Sequence, residues 1–167
     1  MRLTEYLNSI GIDKPIKNIT GELVIKEIKI TEIDLPVLQS VGKDLYINNN
    51  SQLKQINLPE LKSVGKNLSI HDNPQLTQID LSKLQSVGNT LYIYNNKQLT
   101  QIDLPELQSV GYTLYIYNNP QLTQIDLPEL QSVGEDLNIY NNPQLTQIEL
   151  RNCNQLEIIY ILLIIHN

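Results

Sequence analysis

The feature that most constrains this chain is a 23-residue period that recurs five times without a gap. The five blocks are 35–57, 58–80, 81–103, 104–126 and 127–149. The fourth block reads LPELQSVGYTLYIYNNPQLTQID, and the fifth block differs from it at four positions. A period of this length is typical of solenoids, in which each repeat is one unit that stacks on its neighbours.

Seven positions of each block are apolar in all five copies. In the fourth block they are Leu104, Leu107, Val110, Leu114, Ile116, Leu122 and Ile125. Apolar and polar side chains alternate in 114–117 and again in 125–127, which predicts a half-buried strand and a shorter second strand. Gly111 and residues 118–120 predict turns, and residues 104–109 predict a turn or a piece of 3₁₀ helix. Each block is therefore predicted to be one coil of a β-solenoid, with its seven apolar side chains directed inward.

The composition agrees with a core that repeats one layer of side chains. The chain of 167 residues contains 27 Leu, 23 Ile and 7 Val but no Phe, Trp or Ala. Its formal net charge is −6, which argues against a basic surface for nucleic acid or an anionic membrane. We therefore expect neither nucleic acid nor a membrane as a partner.

The N-terminal residues and the cysteine content bear on the compartment. Residues 1–6 contain no apolar stretch of the kind found in secretory signals. The longest apolar run covers the eight residues 158–165, whereas a membrane span needs about 18. Cys153 is the single cysteine, which excludes a disulfide within the chain. These features predict an intracellular, cytoplasmic protein.

A nine-residue motif, Leu-x-Ile-x-x-Asn-x-x-Leu, occurs in all five blocks. With it and the recurring Ser-Val-Gly and Asn-Asn-Pro-Gln-Leu phrases, the chain resembles the leucine-rich repeat superfamily over at least residues 35–159, most closely the receptor L-domain variant. The resemblance implies a right-handed solenoid of about six coils in which one Asn per coil lies inside a turn and hydrogen-bonds the backbone of adjacent coils. The residues that it places in this structural ladder are Asn50, Asn73, Asn96, Asn119, Asn142 and Cys153.

The segments that flank the five blocks depart from the repeat. In residues 3–11, apolar side chains at helical spacing predict a short helix that caps the N-terminal end of the core. We divide the chain into this cap with a degenerate first coil at 1–34, five repeats at 35–149, and a truncated coil at 150–167. The truncated coil has no polar cap, and its open edge predicts self-association.

Two positions on the main strand of each coil alternate away from the core. The first position holds Tyr46, Ser69, Tyr92, Tyr115 and Asn138, and the second holds Asn48, His71, Tyr94, Tyr117 and Tyr140. Tyrosine offers a large, stiff and amphipathic contact area, so this surface predicts a partner-binding face. Its residues are Tyr46, His71, Tyr92, Tyr94, Tyr115, Tyr117, Asn138 and Tyr140. The alternative interpretation, which can coexist with binding, is that the tyrosines are cross-strand pairs that stabilise the sheet.

Other polar residues also recur at the same period. Thr77, Thr100, Thr123 and Thr146 form a single row, whereas ice-binding solenoids are characterised by a double row. An acidic row consists of Asp80, Asp103, Asp126 and Glu149. Calcium needs more oxygen ligands around each ion than this row supplies, so the row is predicted to cap turns. We expect no metal and no cofactor.

Catalytic side chains are not grouped by the repeat. His71 falls on the outward strand face and His166 near the end of the chain, and no Ser, His and acidic group are predicted to meet. The sequence therefore predicts a non-enzymatic scaffold that binds a protein partner of unknown identity through its tyrosine-bearing face. The alternative is a structural or self-assembling spacer that associates through its open C-terminal edge.

Overall fold

The computed structural model describes residues 1–9, 14–152 and 159–162. In that part of the chain one helix, α1 (Leu3–Ser9), precedes nineteen short strands, numbered β1 to β19 in chain order. Strands of two, four and three residues follow one another in each coil. Each coil therefore contributes one strand to each of three surfaces of the stack.

The four-residue strands form a parallel sheet of seven in the order β19-β17-β14-β11-β8-β5-β2. They are β2 (Leu23–Lys26), β5 (Leu45–Asn48), β8 (Leu68–His71), β11 (Leu91–Tyr94), β14 (Leu114–Tyr117), β17 (Leu137–Tyr140) and β19 (Ile159–Leu162). Equivalent residues of neighbouring coils pair in register, as Leu91 does with Leu114. The first and third residues of β11 and β14 are buried, as the alternating pattern predicts.

The two-residue strands form a second parallel sheet, which sequence analysis did not predict. They are β1 (Asn18–Ile19), β4 (Ser40–Val41), β7 (Ser63–Val64), β10 (Ser86–Val87), β13 (Ser109–Val110) and β16 (Ser132–Val133). In the fourth block the predicted turn is present at residues 105–106, but the chain extends into β13 from Ser109. Two residues are too few to display an alternating pattern, so the sequence gives no strand signal here.

The three-residue strands form two separate parallel sheets. One contains β3 (Glu32–Asp34), β6 (Gln55–Asn57) and β9 (Gln78–Asp80), and the other contains β12 (Gln101–Asp103), β15 (Gln124–Asp126) and β18 (Gln147–Glu149). Although β9 and β12 belong to adjacent coils, they are not hydrogen-bonded as sheet neighbours. This surface of the solenoid is therefore interrupted in the middle of the stack.

The interruption coincides with a local change in sequence. On either side of the interruption, backbone hydrogen bonds link successive coils at this surface. The Thr77 amide donates to Lys54 O at 3.0 Å, and the Thr123 amide donates to Thr100 O at 2.8 Å. Block 81–103 begins Leu-Ser-Lys, where the other four begin with Leu-Pro. Since serine, unlike proline, has an amide donor, Ser82 N–H binds Asp80 Oδ1 at 3.0 Å. The carboxylate of Asp80, the last residue of β9, therefore accepts a hydrogen bond from the turn that follows the strand.

The core is one continuous cluster of Leu, Ile and Val that runs the length of the stack. In the fourth block the seven repeated apolar side chains are at most 1% exposed, which confirms that they point inward. The fold class is thus the predicted one, a parallel β-solenoid of about six coils with almost no helix.

Helix α1 covers the N-terminal end of this core. Leu3 is 4% exposed and belongs to the apolar cluster. The segment is held to β3 because Thr31 N–H donates to Met1 O at 2.9 Å and Arg2 Nε lies 2.9 Å from Glu32 Oε2. The end of the stack is therefore closed by residues of the same chain.

A column of buried asparagines links the coils behind the seven-stranded sheet. Its described members are Asn50, Asn73, Asn96, Asn119 and Asn142. Asn119 Oδ1 accepts the Asn96 amide at 3.0 Å, and Asn119 Nδ2 donates to Ile93 O at 3.0 Å. Each such side chain therefore satisfies backbone groups of the preceding coil that would otherwise be buried without a partner.

The residue before each ladder asparagine has a left-handed backbone. Its φ angle is 55° at Asn95 and 54° at Asn118, a conformation that asparagine adopts more readily than most residues. The Asn-Asn pair thus combines two functions: the first residue turns the chain, and the second enters the ladder. Cys153, assigned to the same ladder, lies outside the described residues.

A column of glycines follows the two-residue strands. A Cβ atom at Gly65, Gly88, Gly111 or Gly134 would overlap the carbonyl oxygen of the glycine one coil earlier. The glycines are therefore required by the close approach of neighbouring coils, in addition to the turn that sequence analysis assigned to them.

Candidate functional site

The seven-stranded sheet positions a set of aromatic side chains on its outer surface. In β11 and β14 the first and third side chains face the core, so the tyrosines at the second and fourth positions face outward. These tyrosines are half-buried. In-register parallel pairing places each outward residue beside its equivalent in the next coil, at a strand spacing of about 4.8 Å. The two outward positions therefore form two columns across the sheet.

The first column contains Val24, Tyr46, Ser69, Tyr92, Tyr115 and Asn138. The second column contains Lys26, Asn48, His71, Tyr94, Tyr117 and Tyr140. We define the Tyr-rich face as the surface of Tyr46, His71, Tyr92, Tyr94, Tyr115, Tyr117, Asn138 and Tyr140. All eight side chains are half-buried, and the structure brings them together on one sheet surface.

Stacked rings make up most of this face. In the second column, ring centroids are 4.5 Å apart from His71 to Tyr94 and 4.6 Å apart from Tyr94 to Tyr117. The stack continues to Tyr140 at 4.9 Å, with all three pairs within 5° of parallel. In the first column Tyr92 and Tyr115 stack at 5.3 Å. Rings in the two columns meet edge to face, at 6.4 Å between Tyr92 and Tyr94.

The local environment raises the pKa of the tyrosines of the second column, Tyr94, Tyr117 and Tyr140. Burial, followed by the neighbouring hydroxyls of Tyr94 and Tyr140, raises the pKa of Tyr117 from 10.0 to about 12. Burial is also the main cause of the raised pKa of Tyr94 and of Tyr140. Tyr94, Tyr117 and Tyr140 therefore present neutral rings with hydroxyl groups that are able to donate hydrogen bonds.

Two carboxylates at the rim of the face were not among the predicted site residues. Asp72 Oδ2 lies 2.8 Å from His71 Nδ1, and Asp72 Oδ1 accepts from Asn95 Nδ2 at 2.9 Å. Asp44 Oδ1 accepts from Asn67 Nδ2 at 2.7 Å. Their position beside a turn of the repeat was visible in the sequence, but their proximity to the aromatic rings follows only from the stacking of coils.

The threonine and acidic rows lie on the surface formed by the three-residue strands. Thr77, Thr123 and Thr146 donate their hydroxyls to backbone oxygens one coil earlier, at 3.0–3.3 Å. The acidic row is crowded enough that burial, together with the charges of Asp126 and Asp80, raises the pKa of Asp103. Within 1–9, 14–152 and 159–162, no group of three or more His, Cys, Asp or Glu side chains is arranged to hold a metal ion.

Comparison with known proteins gives one family match. Residues 74–123 match the family model described as Receptor L domain. This segment includes β11 and β14, and so contains Tyr92, Tyr94, Tyr115 and Tyr117. No curated protein and no solved structure matches the chain.

The described part of the chain contains no helix that is long and apolar enough to cross a membrane. Its one helix, α1, has seven residues. His166, the second histidine considered in the sequence, lies outside the described residues.

Proposed function

We propose that this protein is a protein-interaction module and that its partner lies across the Tyr-rich face. The observation that carries the proposal is the pair of stacked aromatic columns, which covers the middle of one sheet with half-buried, laterally fixed rings. Rings already held by their neighbours lose little conformational entropy when a partner docks. Such pre-organisation is one of the main ways in which an interface gains affinity.

The chemistry of the face supports the same proposal. Tyrosine is enriched at the energetically dominant positions of protein interfaces, since it combines a large apolar ring with a hydrogen-bonding hydroxyl. The match of residues 74–123 to a receptor L domain model supports a ligand- or protein-binding repeat module and covers four of the tyrosines. Stacking also stabilises the sheet, so the same rings serve the fold and the interface.

The test is to remove the rings from the centre of the face. We expect the variant with Tyr92→Ser, Tyr94→Ser, Tyr115→Ser and Tyr117→Ser to lose the partner captured by the unaltered protein from cells of its source. Serine is compatible with the position of Tyr92 and Tyr115 because Ser69 occupies it in the second block, and the position of Tyr94 and Tyr117 holds the small polar residue Asn48 in the first block. Partner capture is measured by affinity purification and mass spectrometry, and the fold is checked by circular dichroism.

The matched control places four substitutions on a different surface of the second and third blocks, whereas the four tyrosines lie in the third and fourth blocks. The residues are Thr77, Gln78, Thr100 and Gln101, each changed to Ser. All four are exposed and lie on or next to β9 and β12, away from the seven-stranded sheet. The control variant is expected to retain the partner. Equal capture by both variants would contradict a binding role for the Tyr-rich face.

A second candidate function is self-assembly. It is favoured by β19, which ends the seven-stranded sheet and, among the described strands, pairs only with β17. An open strand edge is a template for pairing with another chain. Analytical ultracentrifugation of the protein with and without residues 160–167 tests this candidate, and a monomer in both cases would exclude it.

A further inference from the structure

The first column of the Tyr-rich face is interrupted at one position. Ser69 pairs in register with Tyr46 on one side and with Tyr92 on the other. Tyr46 and Tyr92 are therefore separated by two strand spacings, about 9.6 Å. Where a tyrosine is present in the next position, as at Tyr115, it stacks on Tyr92 at 5.3 Å and within 4° of parallel. The gap at Ser69 therefore has the width of one planar group.

The gap is a groove with defined walls and a polar floor. Its lining includes Tyr46, Ser69, His71, Tyr92 and Asn67. Ser69 lines this groove but is only 4% exposed, so its side chain lies at the bottom, between the larger side chains beside it. His71 stacks on Tyr94 at 4.5 Å, which fixes the imidazole as a side wall. A planar group that enters the groove would lie between the side chains of Tyr46 and Tyr92.

The charges around the groove favour a cation. Burial opposes ionisation of Asp44, but hydrogen bonds from Asn67 and Tyr46 and the charge of Lys66 outweigh that effect and lower the pKa of Asp44. Asp44 and Glu22 both act on the Tyr46 hydroxyl, and Asp72 stands beside His71 on the opposite side. Lys66 is the cation near Asp44, and it is exposed at the rim. The whole chain adds a net charge of −6.

We propose that the groove at Ser69 receives the guanidinium group of an arginine side chain on the protein partner; the proposal rests on the proposed function of the Tyr-rich face. Guanidinium is planar and stacks on aromatic rings, where its charge is attracted to the face of the ring. Its edge carries five N–H donors, which match the acceptors of Asp44, the Tyr46 hydroxyl and Ser69. Lysine lacks the planar group, and an uncharged ring lacks the charge that the groove complements.

The probe is a blocked pentapeptide with arginine at its centre between glycine and serine residues. Binding is followed by amide chemical shifts in NMR, with the intact chain of 167 residues. We expect saturable shifts at Tyr46, Ser69 and Tyr92 with a dissociation constant on the order of 1 mM, as befits a single side chain. Matched peptides carry lysine, citrulline or phenylalanine in place of arginine. Citrulline keeps the planar shape and removes the charge, and we expect it to bind at least about fivefold more weakly.

Two substitutions at the floor separate filling of the groove from loss of the hydroxyl. Ser69→Tyr completes the column and is expected to weaken arginine binding at least about tenfold, whereas Ser69→Ala leaves the groove open and changes binding less than about threefold. If Ser69→Tyr does not fold, Tyr46→Ser removes one wall and is expected to give the same tenfold loss. Binding of the arginine peptide should also weaken as salt is added.

The proposal is overturned if the arginine peptide gives no saturable shifts in the groove, if Ser69→Tyr binds it normally, or if phenylalanine or citrulline binds as tightly. In these cases the four-tyrosine variant still tests the proposed function independently, because it asks only whether the partner is lost. Conversely, arginine binding in the groove together with full partner capture by that variant would contradict the proposed function while leaving the groove as a guanidinium site.

Discussion

At the scale of single residues, the buried asparagines show how one residue connects three coils. Asn119 donates to Ile93 O in the preceding coil and accepts from Asn96 N–H, while its own amide donates to Asn142 Oδ1 at 3.0 Å. The side chain is fully buried. Water therefore has no access to replace any of these bonds once the amide is removed.

Replacement of Asn119 by alanine should lower the free energy of unfolding by about 2–4 kcal/mol, because it leaves a buried carbonyl and a buried amide without partners. The measurement is urea denaturation followed by circular dichroism. The matched control is Asn118→Gly, which changes the exposed asparagine next to it, where φ is 54°. Glycine accepts this conformation, so the control should stay within about 1 kcal/mol of the unaltered protein. Similar losses in both variants would contradict the ladder as the source of stability.

The tyrosines of the face give a prediction about alkaline stability. Tyr117 has a pKa of about 12 in the folded protein, against an ordinary value of 10.0. Its contribution to stability is complete below pH 10, where it is protonated in both states, and is lost as the pH rises from 10 towards 12, where the unfolded chain ionises first. The urea midpoint of the unaltered protein should fall across this pH range, and the urea midpoint of Tyr117→Phe should fall less. An equal decline in both proteins would show that Tyr117 is not responsible.

At the scale of elements, the Ser-Val-Gly segment packs more tightly than its sequence suggests. Each glycine of the column lies directly over the glycine carbonyl of the preceding coil. Replacement of Gly88 by alanine should therefore force the backbones apart and cost about 1–3 kcal/mol in urea denaturation.

Gly21 provides the control for that substitution. It follows Thr20, the residue that stands at the equivalent point of the first coil, and a Cβ added at Gly21 would meet nothing within 4 Å. Gly21→Ala should change the free energy of unfolding by less than about 1 kcal/mol. If the two alanine variants were equally stable, close approach of the coils would not be the reason for the glycines.

How well each strand could be predicted depends on how clearly apolar and polar residues alternate along it. The four-residue strands alternate clearly, so β14 and its inward Leu114 and Ile116 were predicted, as were the outward positions of the Tyr-rich face. The strand Ser109–Val110 was missed because two residues show no period. The break between β9 and β12 was missed, although it coincides with the change from Leu-Pro to Leu-Ser at residues 81–82, because a single substitution in a turn does not reveal which strands of adjacent coils will pair. The sequence shows the gap at Ser69 as a break in the row of tyrosines. That Tyr46 and Tyr92 lie on its two sides is known only from the strand register in the structure.

At the scale of the whole molecule, the strands of the seven-stranded sheet join each coil to the coils before and after it within the described residues. The stability of such a stack is approximately a sum of repeat and nearest-neighbour terms. Here each repeat term corresponds to 23 residues, because equivalent residues of paired strands, such as Leu91 and Leu114, are 23 positions apart in the sequence. A solenoid built in this way should tolerate the loss of a complete unit far better than the loss of part of one.

Deletion of residues 104–126 tests this directly, since it joins Asp103 to Leu127 and recreates the junction found between the third and fourth blocks. We expect the shortened protein to fold with native-like circular dichroism, and to show a lower urea midpoint and a smaller denaturant dependence, in line with its smaller buried surface. The matched control deletes residues 104–125, which leaves Asp126 as one extra residue at the junction. Insertion of a single residue displaces the inward side chains that follow it before the turns can compensate. The control should therefore lose far more stability, and equal stability of the two deletions would mean that the 23-residue period does not set the register of the stack.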